Sequence, residues 1–129
     1  MQKGDTYELN YPVTPAIRDG FRDIFKDANP LHTDKGFARE KGFDDAVMYG
    51  NILNGFISHF IGEALPVKNV IIHAQQIKFF KPFYCGDELI LRAELSESVA
   101  SVQAFIFNFG FFNRSGLEIA RGKVQIGLI

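Results

Sequence analysis

Two periods of apolar and polar positions run along this chain, one helical and one alternating. Residues 5–13, DTYELNYPV, read as a short first strand. Thr14 then suits a helix N-cap, and Pro15 falls at the first helical position, where its missing N–H costs nothing. Ile17, Phe21, Ile24 and Phe25 form one apolar face to about residue 26. Pro30 disfavours helical geometry at Asn29, so the helix is expected to stop there. A loose segment with a short helical turn near 34–40 follows.

Residues 50–65, GNILNGFISHFIGEAL, read as the main helix. Ile52, Leu53, Phe56, Ile57, Phe60, Ile61, Ala64 and Leu65 give it a wide apolar face, so it should be largely buried. Asn51, Asn54 and Ser58 form one polar stripe. Gly50, Gly55 and Gly62 weaken the helix intrinsically and fit close packing against it. Pro66 ends it.

Four further strands are expected near 69–80, 87–97, 100–113 and 117–128, arranged as an antiparallel meander. Gln103, Phe105, Phe107, Phe109 and Phe111 share one face. Val102, Ala104, Ile106 and Phe112 make the other face apolar as well. YCGDE and NRSG are the turns. The expected fold class is α+β, one sheet wrapped around one central helix. Such a sheet leaves an edge needing cover, which dimerisation would supply.

Composition narrows the functions. The chain has 129 residues, which suits one domain over 1–129, and 47% hydrophobic residues, enough for a core. Net charge is -1 with no basic stripe, so neither nucleic acid nor an anionic membrane is favoured as a partner. No segment reaches transmembrane length, and MQKGDTYELN lacks the apolar run of a signal peptide. Cys85 is the only cysteine and cannot form an internal disulfide. A cytoplasmic location is expected. Fourteen phenylalanines must be buried by sheet, helix, ligand or partner chain.

The chemistry concentrates in DANPLHTD, residues 27–34. An aspartate is ionised at pH 7 (reference pKa about 3.9), while a histidine is poised between its states (about 6.5). Asp27 and His32, joined by a short proline-containing turn, are thus candidates to hold a water and exchange protons with it. Asn29 can fix the turn by bonding its own backbone. The same residues also suit an ordinary helix end and turn, and spacing alone leaves both readings open. In YGNIL, Gly50 opens the main helix, and its N–H can polarise a carbonyl; a plain helix start is equally consistent. His32, His59 and His73 lack the spacing of a zinc signature, so no metal site is expected. His59 reads as bordering the core, and His73 as a packing or pocket-lining strand residue. Cys85 has no activating base nearby in sequence. Lys78, Lys81 and Arg121 could meet a phosphate or be solvated strand residues.

Three stretches together resemble a known family: DANPLHTDKGFA, YGNILNGFISHFIGEALP and IKFFKPFYCGDEL. They are similar to the MaoC-like branch of the hot-dog fold, and within it to (R)-specific enoyl-CoA hydratases. The resemblance runs from about residue 10 to the C-terminus. Its most specific part is D-x-N-P-x-H, supported by Phe79, Pro82, Gly86 and Asp87 in the pattern F-x-x-P-x-x-x-G-D. It implies a five-stranded sheet around a long central helix, and syn hydration of a trans-2-enoyl thioester to the (R)-3-hydroxyacyl thioester.

Carried over by position, the resemblance implies that Asp27 and His32 are the catalytic pair. By the same resemblance, Gly50 matches the glycine whose N–H binds the thioester carbonyl, Asn29 matches the turn asparagine that supports the pair, and Ser58 falls near a helix serine of the family. It implies no cofactor or metal, an acyl-CoA or acyl-carrier-protein substrate, and a homodimer. Tyr49 stands where the family usually has histidine, and NILNG is more polar than usual, so the acyl group need not be an ordinary fatty chain. Glu63 comes too late in the helix for the glutamate of the fatty-acid-synthesis dehydratases. Two alternatives remain: a carrier-protein-dependent dehydratase of a dedicated biosynthetic pathway, and a non-catalytic acyl-thioester-binding module.

Overall fold

A computed structural model describes residues 1–129. The chain forms β1 (Thr6–Pro12), α1 (Pro15–Phe25), α2 (Pro30–Thr33), α3 (Lys35–Glu40) and α4 (Ile52–His59). A π-helical segment, Phe60–Ala64, continues α4. Then come β2 (Val70–Phe79), β3 (Glu88–Val99), β4 (Ala104–Phe112) and β5 (Glu118–Leu128). The strands make one antiparallel sheet in the order β1-β3-β4-β5-β2.

This order corrects the expected meander. Only β3, β4 and β5 follow one another in space; β2 lies at the far edge, paired with β5. The segment between β2 and β3 therefore crosses from one edge to the other side of the sheet. On that crossing, Met48 N–H donates to the Phe83 carbonyl, which ties the crossing to the segment before α4.

The central helix is also shorter than expected as an α-helix. Gly50 and Asn51 lie in a turn before it, and its last turn widens to π geometry before Pro66. Its apolar face is nevertheless the core: Ile52, Leu53, Phe56, Ile57, Phe60 and Ile61 are buried. They share a core cluster with the inner faces of β3, β4 and β5, through Leu91, Leu95, Phe107, Phe111, Val124 and Ile126. Burying each such side chain is worth about 1.5–3 kcal/mol. Phe107, Phe109 and Phe111, on the shared face read from the alternation, point inward. Val102 and Gln103 are not in the strand; Val102 sits in a short 3₁₀ turn and Gln103 is left-handed, with φ +49°.

At the other end of the core, Thr14 caps α1 through its hydroxyl, which accepts from Ile17 N–H at 3.2 Å. The helix stops earlier than Pro30 requires. Lys26 adopts the left-handed conformation, φ +60°, and its N–H closes on the Arg22 carbonyl. Only half of the apolar face of α1 is used: Ile17 and Phe21 pack against the core, while Ile24 and Phe25 are exposed.

Candidate active site

Asp27 directly follows the left-handed Lys26. Its Oδ1 accepts from the Asn29 N–H at 3.1 Å. Asn29 in turn caps α2, its Oδ1 accepting from Leu31 N–H at 2.9 Å. The turn is thus built by two consecutive side-chain-to-backbone bonds, as the residue types allow. Thr33 adds a third bond, its hydroxyl donating to the Asn29 carbonyl at 3.1 Å.

His32 is half-buried in α2. Its Nδ1 lies 2.7 Å from the Val47 carbonyl oxygen. A carbonyl only accepts, so Nδ1 carries the hydrogen. In the neutral ring, Nε2 is then the basic nitrogen. The partner strand of chain is itself fixed, because Val47 N–H donates to the Leu31 carbonyl at 2.9 Å.

Tyr49 binds both members of the candidate pair. Its hydroxyl donates to the Asp27 carbonyl at 2.5 Å. Its ring lies against the His32 ring, centroids 4.3 Å apart, and against Phe21 at 4.5 Å. It is 3% exposed. Burial first, then the Asp27 charge, holds its phenol above the usual tyrosine range.

Gly50 follows. Its N–H makes no hydrogen bond within the chain. His32 and Gly50 line one cleft of about 300 Å³, walled by Phe43, Met48, Phe79 and Phe83, with Lys81 among its residues. A Cβ on Gly50 would stand 3.0 Å from the Phe79 ring, so the absence of a side chain here lets that ring close over the backbone. His32, Val47 and Met48 also wall a second cleft of about 340 Å³, lined by Arg18, Arg22, Lys35 and Cys85.

Of the residues singled out in the sequence, His32 and Gly50 share the first cleft, and Tyr49 links His32 to the Asp27–Asn29 turn; Asp27 and Asn29 themselves line neither cleft. Ser58 does not line the first cleft; it is exposed on α4. The polar stripe holds in part: Asn54 donates to Asn51 at 2.9 Å and accepts from Gln75 of β2 at 2.5 Å. His59 is exposed and bonds the Tyr11 hydroxyl, 2.9 Å away. His73 sits exposed at a bulge of β2, its ring covering Gly127. Lys78 and Arg121 face each other across β2 and β5, apart from the His32 cleft, and Arg121 pairs with Glu118. Glu63 is exposed and near Lys68, at 3.8 Å. Val47 escaped the sequence reading because it acts through its carbonyl, which every residue has.

Comparisons with known proteins bear on the family and the fold. The model of the MaoC-like domain matches residues 2–105. An (R)-specific enoyl-CoA hydratase of Aeromonas caviae is 30% identical over 115 residues, covering 85% of this chain and 86% of that protein. A 3-hydroxybutyryl-CoA dehydratase of Methylorubrum extorquens is 30% identical over 99 residues, covering 77% of this chain and 63% of that protein. The solved (R)-hydratase from A. caviae superposes with a TM-score of 0.91 at 25% identity, covering 100% of this chain and 98% of that one. With a five-stranded antiparallel sheet folded about α4 in the hot-dog manner, this chain belongs to the MaoC-like family and is a hydro-lyase of the hydratase and dehydratase type.

Proposed function

We propose that the chain is an (R)-specific enoyl-thioester hydratase, or the reverse 3-hydroxyacyl-thioester dehydratase, working through Asp27 and His32 as one MaoC-like domain over 1–129. The observation that carries this reading is the pairing of two groups in one cleft: a histidine whose tautomer is set by Val47, and an unbonded backbone N–H on Gly50.

The chemistry follows from those groups. A water beside the pair loses a proton to Nε2 of His32 as its oxygen bonds to C3 of the enoyl group. The displaced electron pair moves to the thioester oxygen, where the Gly50 N–H donates to it. A backbone donor aimed at such an oxygen is typically worth about 10²–10³-fold. The pair then returns one proton to C2, and the enzyme ends unchanged. Asn29 holds the Asp27 carboxylate and Tyr49 its carbonyl. No metal or other cofactor enters these steps.

The substrate is read as an acyl thioester of CoA or of a carrier protein. A homodimer belongs to the same reading. Of the two sheet edges, β2 is the apolar one: Ile71, Ile72 and Phe79 on it are each more than a third exposed, and Phe80 follows them. An uncovered apolar edge invites pairing with a second copy. A cytoplasmic setting is part of this reading and rests on the lone Cys85. No helix is long and apolar enough to cross a membrane.

The test is loss of the conjugated thioester absorbance with crotonyl-CoA and with crotonyl-carrier protein, followed by chiral analysis of the product. The expected product is the (R)-3-hydroxyacyl thioester on at least one carrier. An (S) product, or no hydration of either, contradicts the reading. Light scattering at micromolar concentration should give the mass of a dimer.

A further inference from the structure

We infer that Tyr49 is a positioning residue that sets the geometry of Asp27 and His32 together; this rests on the hydratase reading above. Asp27 sits one residue after a helix end that a non-glycine side chain disfavours. Left-handed geometry at Lys26 is uphill by roughly 1–2 kcal/mol relative to the right-handed form, so the turn needs external support to stay in place. The Asn29 N–H holds the Asp27 carboxylate from within that turn. From outside it, the Asp27 carbonyl has the Tyr49 hydroxyl, 2.5 Å away.

The same side chain restrains the base. The Nδ1–H bond to Val47 fixes one end of the His32 ring, but a single bond leaves rotation about it. The Tyr49 ring, tilted 32° to His32 with centroids 4.3 Å apart, supplies a face to lean on. Phe21 backs that ring from α1, 4.5 Å away. Both clefts that reach His32 include the segment Val47–Met48 in their walls. Val47, Tyr49 and Gly50 thus lie in four consecutive residues that order the base, the acid and the carbonyl donor. The phenol suits a permanent donor: it stays protonated well above neutral pH.

Tyr49→Phe keeps the stacked ring and removes only the donor to Asp27. Two readouts decide the matter. Turnover should fall about tenfold to 100-fold, as expected for a reacting group displaced by about 1 Å, while KM stays within about twofold. Independently of activity, amide hydrogen exchange at Asn29 should speed up by about tenfold, because its acceptor is no longer fixed. Tyr49→His, a shorter side chain whose ring nitrogens stop well short of the hydroxyl's position, should lose the tether too and speed exchange at Asn29 as Tyr49→Phe does. Wild-type exchange at Asn29 in Tyr49→Phe would overturn the inference, as would a change confined to KM. The two readings fail separately: an inactive wild type refutes the hydratase reading, while the exchange rate still tests the tether. Should Tyr49→Phe not fold, exchange at Asn29 in Tyr49→His decides alone, a rate raised about tenfold supporting the tether and a wild-type rate overturning it.

Discussion

The Nδ1 of His32 lies 2.7 Å from the carbonyl oxygen of Val47, an approach that requires the hydrogen to be on Nδ1. That one contact settles the tautomer of the neutral ring and leaves Nε2 as its lone-pair nitrogen. The Gly50 N–H stands in the same cleft. Under the proposed function, the histidine base and the carbonyl donor share that one cleft.

Gly50→Ala separates folding from catalysis. Its Cβ would meet only the Phe79 ring, at 3.0 Å, and that side chain is half exposed and free to move. Thermal unfolding should change by less than about 1 kcal/mol. Turnover should fall by about 10²-fold, because a methyl group crowds the carbonyl's approach to the N–H. Calorimetry and initial rates check both halves.

Gly122→Ala is the opposite case. Gly122 lies in β5 opposite Phe109, and a Cβ there would overlap both the Phe109 ring and the Gln76 carbonyl of β2. The carbonyl belongs to a ladder and cannot swing aside. Destabilisation of about 3 kcal/mol or more is expected, by denaturant titration, with β2 detaching first.

Alkaline stability should report on Tyr11. It is buried against Phe56, with ring centroids 4.6 Å apart, and its phenol is pushed up to about 12 by burial. The folded state therefore favours the neutral phenol. The stabilisation is complete below the unfolded value of about 10 and is lost as pH rises from about 10 to about 12. Tyr7 and Tyr49 shift the same way. Replacing Tyr11 with Phe should flatten the decline in unfolding free energy across that window; an unchanged slope would assign it to other groups.

What the sequence disclosed depended on how local the cause was. Thr14 and Pro15 placed the start of α1 because capping acts within three residues. The apolar period of 52–61 disclosed the buried helix, and alternation in β4 disclosed which phenylalanines share a face, but with both faces apolar it did not disclose which face turns inward. The strand order was not legible. Nothing in β2 announces β5 as its partner rather than β3, since pairing depends on where the crossing chain lands. The end of α1 was misplaced because a lysine, not a glycine, takes the left-handed position. In the site, side-chain chemistry pointed to Asp27, His32 and Gly50, but the Val47 carbonyl carries no signature in its residue type. Tyr49 was visible only as a departure from the usual histidine; its contacts to Asp27 and His32 needed the fold.

The central claim is that Asp27 and His32 act as one proton-exchanging pair. The most direct measurement is crotonyl-thioester hydration by wild type, Asp27→Asn and His32→Ala, with thermal unfolding recorded on the same samples. The account predicts that each variant folds like wild type and loses turnover by about 10²–10⁴-fold, the usual worth of general acid–base catalysis. A variant that keeps near-wild-type turnover would remove its residue from the mechanism.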